Sequence, residues 1–124
     1  SIFKNRGMTY YKLELYQEAV RDYTMSIELS PDYIKAYSQR VYAYYKLGLY
    51  EKSILDCMKV IQLDPDNNEN LNEDAYKWLG FSRYKLGQYQ EALNNFNKAL
   101  DLNPKLETDT LRVWINNAKY YLSK

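Results

Sequence analysis

The chain has no histidine, one cysteine, four glycines and three prolines among its 124 residues, and each shortage closes a class of chemistry. Without imidazole there is no nucleophilic triad of the usual kind, no histidine base and no histidine metal ligand. The lone Cys57 makes neither an internal disulfide nor a thiolate zinc site, so the fold is expected to need no oxidising compartment; cytoplasm, or else nucleus, is the expected location. Gly7, Gly48, Gly80 and Gly87 are too dispersed to cradle a nucleotide phosphate. An excess of one charge is missing as well: 17 basic against 16 acidic side chains leave +1, so no overall field steers the chain toward nucleic acid or an anionic membrane. No apolar run approaches the roughly 18 residues of a membrane helix, and no apolar signal-peptide core follows the first residues. These shortages lead to the expectation of a chain that is not an enzyme and uses no cofactor, metal, small-molecule substrate or membrane.

What is present is one phrase written three times: YKLELYQEA from Tyr11 to Ala19, YKLGLYEKS from Tyr45 to Ser53 and YKLGQYQEA from Tyr84 to Ala92, with starts 34 and 39 residues apart. Self-similarity at such a period marks stacked supersecondary units. Each phrase lies between two amphipathic runs, and each second run stops at a proline, Pro31, Pro65 or Pro104. A proline pushes its predecessor out of the α region, so each unit reads helix, tight turn, helix, break. Gly48 and Gly87 hold the turn position, where a helix often ends in positive φ; Glu14 stands there in the first copy.

Aligned on the prolines, Phe3, Tyr37 and Tyr76 share a column, as do Gly7, Val41 and Gly80, and Tyr10, Tyr44 and Arg83. At about 100° per residue these columns form one face of the first helix, small where two helices cross closely. In the second helix Ala19/Ser53/Ala92, Tyr23/Cys57/Phe96 and Ser26/Val60/Ala99 alternate small and large at i, i+4 and i+7, as interdigitated helices require. Cys57 sits in a buried aromatic column and reads as a small hydrophobe. These residues resemble the tetratricopeptide repeat (TPR), a helix-turn-helix unit of 34 residues. The third copy, with Tyr76, Leu79, Gly80, Tyr89, Ala92, Phe96, Ala99 and Pro104, matches best; Arg6 and Arg40 where leucine is usual, Val41 for glycine and Cys57 for the aromatic depart from the pattern.

The resemblance implies an all-α solenoid, an α-α superhelix of about seven helices forming a single domain: repeats at 1–33, 34–67 and 73–106, an insertion at 68–72 and a capping helix at 107–122. Leu111, Trp114, Ile115, Ala118 and Leu122 carry the cap's apolar stripe behind Thr108 and Asp109. The insertion lies in the acidic tract DPDNNENLNED. Asp64, Asp66 and Asn68 alternate there as in a calcium loop, but Glu69 and Ala75 stand where glycine and glutamate are required, so the tract reads as a solvated loop whose removal would restore a regular array. Ser1 in place of a methionine, with the first copy starting inside its helix, suggests a piece of a longer protein.

In the family the face opposite the packing columns is a concave groove, which implies a peptide of a partner protein bound there. In this sequence that face carries Lys4, Met8, Tyr11 and Lys12 in the first copy, Lys35, Gln39, Tyr42, Tyr45 and Lys46 in the second, and Lys77, Trp78, Phe81, Tyr84 and Lys85 in the third. Large apolar groups on a solvent-facing helix imply something to meet, and Trp78 and Phe81, three apart, are expected to form one site beside Lys77 and Lys85. Co-chaperone members of the family clamp the terminal carboxylate of heat-shock chaperones. The positions corresponding to that clamp are Lys4, Met8, Gln39, Asp74 and Trp78; only the lysine survives, and Asp74 would repel the carboxylate. The alternatives are a structural or self-associating scaffold module and, more remotely, single-stranded nucleic acid stacked on the aromatic and lysine surface.

Overall fold

The computed structural model describes residues 2–124, and their side chains from Lys12 onward. Six α-helices follow one another, α1 (Ile2–Leu29), α2 (Ile34–Lys46), α3 (Tyr50–Leu63), α4 (Asn72–Lys85), α5 (Tyr89–Leu102) and α6 (Asp109–Leu122), with a single 3-10 turn at Pro104–Leu106. Among the described residues no helix is long and apolar enough to cross a membrane. Each helix packs on the next in sequence, and α2 also touches α4. Two layers result, with α2 and α4 in one and α3 and α5 in the other.

The turns of the second and third copies are set by glycine. Gly48 and Gly87 take φ of 77° and 80°, which a Cβ would strain. Around them the Leu49 amide donates to the Tyr44 carbonyl at 2.9 Å and the Gln88 amide to the Arg83 carbonyl at 2.8 Å, closing each helix end with a paired left-handed cap. The first copy differs from expectation. Glu14 has no such freedom and is a good helix former, and α1 runs unbroken through it, so the first repeat contributes one long helix instead of a hairpin, and the described residues form six α-helices where about seven were expected.

The packing columns meet as the repeat pattern requires. Gly80 lies under Phe96: a Cβ placed on it would come within 2.5, 2.6 and 3.1 Å of three ring atoms. In the second copy the same two positions hold Val41 and Cys57, both in the core shared by α2, α3 and α4. The departures at Val41 and Cys57 therefore compensate, a larger residue in the glycine column and a smaller one in the aromatic column. Burial pushes the Cys57 thiol well up, with the Asp56 carboxylate adding to it, as befits a packing residue. Arg40, unexpected in a leucine column, makes a two-pronged pair with Asp56, Nε to Oδ2 and Nη2 to Oδ1 both at 2.7 Å, and its Nη1 donates to Thr24 at 3.0 Å. Asp56 is 4% exposed; burial pushes its carboxyl up and the guanidinium opposes this, so the pair stands or falls together.

The insertion is exposed from Asn68 to Asn70, as a solvated loop should be, and it is also tied to the fold at both ends. The buried Asp64 carboxylate accepts from the amides of Asn68 at 2.9 Å and Glu69 at 2.7 Å, and the Asn72 side chain donates to the Asp64 carbonyl at 2.7 Å. Asn67 and Asn70 both take φ of 58°, a conformation asparagine tolerates. Leu71 packs on the core and Asn72 is buried. At the other end Thr108 caps α6 by accepting from the Leu111 amide at 3.2 Å, and Leu111 and Ala118 are buried.

Candidate functional site

The first-helix layer exposes a continuous ladder of aromatic rings. Tyr16 of α1 meets Tyr42 edge-on with centroids 5.9 Å apart, Tyr42 meets Trp78 at 5.4 Å, and Trp78 also meets Tyr45 at 5.0 Å. The ladder continues from Trp78 to Phe81 at 5.4 Å, from Phe81 to Trp114 at 4.7 Å and from Trp114 to Tyr84 at 4.7 Å. The rungs come from α1, α2, α4 and α6, which the stacking of successive units brings side by side.

Trp78 and Phe81 touch but differ in role. Phe81 lies 5.2 Å from the fully buried Phe96 and against the cap's Trp114; it joins the third repeat to its cap. Trp78 lies between the rings of Tyr42 and Tyr45 and lines a cleft of about 110 Å³ with Ser38, Val41, Val60, Asp74 and Ala75. That volume admits one side chain and is below the range of cofactor pockets. The insertion's Asn68 and Glu69 amides turn toward Asp64, while its Leu71 packs on the same core cluster as Trp78. Trp114, which the repeat comparison assigned only to the cap's stripe, is a rung of the same ladder; its helical spacing gave its burial but not the ring it would reach on α4.

Three lysines lie over these rings: Lys46 Nζ over Tyr42, Lys77 Nζ over Trp78 and Lys85 Nζ over Trp114, each 5.4 Å from the centroid. Lys77 is also 3.5 Å from the exposed Asp74 carboxylate. Tyr42 keeps 42% of its surface, Gln39, Lys35 and Lys12 are exposed, and Tyr45 and Tyr84 are half-buried. Burial, and then the neighbouring Tyr50, push the Tyr45 phenol up to about 12. Burial likewise raises Tyr84, helped by Tyr121 and Tyr89. Lys4, Met8 and Tyr11 fall outside the residues whose side chains are described. Among the described residues no cluster of acidic or cysteine side chains is arranged to hold a metal, and the Asp64 carboxylate is taken by backbone amides.

An all-α array of stacked helices with an aromatic, lysine-lined face and a capping helix defines a helical-repeat solenoid. Tetratricopeptide repeat models match residues 1–33, 34–67 and 73–106, and the chain belongs to the tetratricopeptide repeat family. No curated protein matches the chain. Among solved structures it is similar to the second TPR domain of human RPAP3 in complex with the HSP70 peptide SGPTIEEVD, at 28% identity over 94% of this chain and 91% of that one with a TM-score of 0.72. It is similar to the Arabidopsis OM64 TPR domain at 28% identity over 96% and 93%, TM-score 0.75. The first TPR of Spaghetti (RPAP3) bound to the HSP90 peptide SRMEEVD shares the fold, with a TM-score of 0.77 at 23% identity over 99% and 92% of the two chains.

Proposed function

We propose that this chain is a non-enzymatic interaction module that binds a peptide segment of a partner protein across the face of α2 and α4. The observation that carries the reading is the pairing of ring and charge, with Lys46 over Tyr42 and Lys77 over Trp78 beside the cleft at Ser38 and Asp74. A partner segment places one apolar or aromatic side chain against Tyr42 and Trp78, and carboxylates flanking it meet Lys46, Lys77 and Lys85. The peptide complexes of the similar structures support peptide as the ligand class. The exposed Asp74, held by Lys77 at 3.5 Å, argues for an internal acidic-aromatic segment over a terminal carboxylate.

Peptides selected from a display library on the intact domain test this. Trp78→Ala should weaken binding by roughly 1 to 3 kcal/mol with helicity unchanged, and Lys77→Ala by about 1 kcal/mol or less, mostly at low salt. Phe81→Ala is expected to lower stability because its ring packs on Phe96 and Trp114. If Trp78→Ala binds like the parent, the ladder is packing and the site lies elsewhere.

A further inference from the structure

The second half of α1 is uncovered where its counterparts are buried. Ala19 and Tyr23 are half-buried and Asp22 is exposed, whereas Ser53, Cys57 and Asp56, one period later, are all buried. In the later copies the cover is the first helix of the same repeat, α2 on α3 and α4 on α5. In the first copy the corresponding stretch, residues 2–12, is the straight continuation of α1. Within one such helix Arg6 and Asp22 are about 24 Å apart along the axis.

Two residue pairs specify what fits that face. Arg40 and Asp56 form the buried ion pair of the second copy, and the same two residue types stand one period earlier as Arg6 and Asp22. Gly80 lies against the ring of Phe96 in the third copy, and the same small-against-aromatic combination stands in the first copy as Gly7 and Tyr23. Residues 2–12 thus carry both the charge and the shape complement of the uncovered face, and α1 keeps them from reaching it within their own chain.

We propose that residues 2–12 of a second copy of this chain dock on the Ala19–Ser26 face of α1, and reciprocally, so that two chains exchange the first helix of their first repeat. The hinge is the stretch around Glu14. A glycine there would make the left-handed turn seen at Gly48 and Gly87; glutamate favours the straight helix, and exchange then recovers the hairpin's contacts between chains. Two-fold symmetry makes the contact reciprocal and closed.

Sedimentation of the full chain across roughly 1 to 100 μM reads the association. The parent should be a dimer. Arg6→Asp and Asp22→Arg, each alone, should raise its dissociation constant at least about tenfold, because each puts like charges across both contacts. An equimolar mixture of the two variants should recover the parent's dimer, since each chain then meets the opposite sign in the other. Glu14→Gly should shift the chain to monomer by allowing the hairpin to close. A parent that stays monomeric throughout overturns the proposal in favour of a repeat closed on itself. A dimer indifferent to the charge variants, or a mixture that recovers nothing, overturns it in favour of another surface.

Discussion

Replacing Gly80 with alanine sets two effects of known sign against each other. A helix interior gains about 1 kcal/mol when glycine becomes alanine, so at an open site Gly80→Ala would stabilise. Here the new methyl would sit 2.5 Å from Phe96 Cε1 and 2.6 Å from its Cδ1, roughly 1 Å inside ordinary carbon contact. Phe96 is fully buried and its ring is wedged against Phe81 at 5.2 Å, so it cannot swing aside and α4 must move off α5. Overpacking costs roughly 1 to 3 kcal/mol; contacts this short against a fully buried ring fall in the upper part of that range, about 2 to 3 kcal/mol, so the net is a loss of about 1 to 2 kcal/mol. For a domain of this size that lowers Tm by about 4 to 8 °C. Circular dichroism melts of the parent, Gly80→Ala, Phe96→Leu and the double variant form a cycle. Phe96→Leu alone loses stability through the cavity it leaves, and the double variant should lose less than the sum of the two singles because the methyl then has room. An unchanged or raised Tm for Gly80→Ala, or strictly additive losses, would refute the close crossing.

Arg40→Ala should lower stability by about 3 kcal/mol or more, because it leaves Asp56 buried without its partner, while Arg40→Leu combined with Asp56→Asn, the residues the third copy carries as Leu79 and Asn95, should melt near the parent. Asp64→Ala should cost about 2 kcal/mol by orphaning the Asn68 and Glu69 amides, and deleting 68–72 should lower the melting temperature, since it removes the buried Asn72; chemical denaturation checks both. Tyr45 should ionise late: its folded pKa of about 12 stands above the ordinary value of 10.0, so the stability it contributes is whole below pH 10 and is lost as pH rises through 12. Comparing absorbance titrations of the parent and Tyr45→Phe, the amplitude that ionises near pH 12 should shrink in the variant.

The repeat architecture was legible before any coordinates because a solenoid is written locally. Prolines at 31, 65 and 104 and the columns ending in Ala92, Phe96 and Ala99 recur at a period that only stacked helical hairpins use, and each repeat touches only its neighbours. Helix faces follow from 3.6-residue periodicity, so Tyr42, Trp78 and the lysines at 46, 77 and 85 could be placed on one face by counting. Counting does not say which ring meets which. Trp78 and Phe81, equal on a helical wheel, were separated only by the neighbours that the inter-repeat packing brought to each, Tyr42 and Tyr45 of α2 for one and Phe96 and Trp114 for the other. The role of Arg40 was hidden for the same reason, since a residue that breaks its column is explained by a partner sixteen positions away across a turn. Sequence spacing was enough to set aside a calcium loop at Asp64, but not to show that its carboxylate accepts from the Asn68 and Glu69 amides. At Glu14 the repeat pattern and the residue disagree: the pattern calls for a turn, the side chain favours helix, and only the three-dimensional structure, in which the second half of α1 lies uncovered, shows where the helix prevailed.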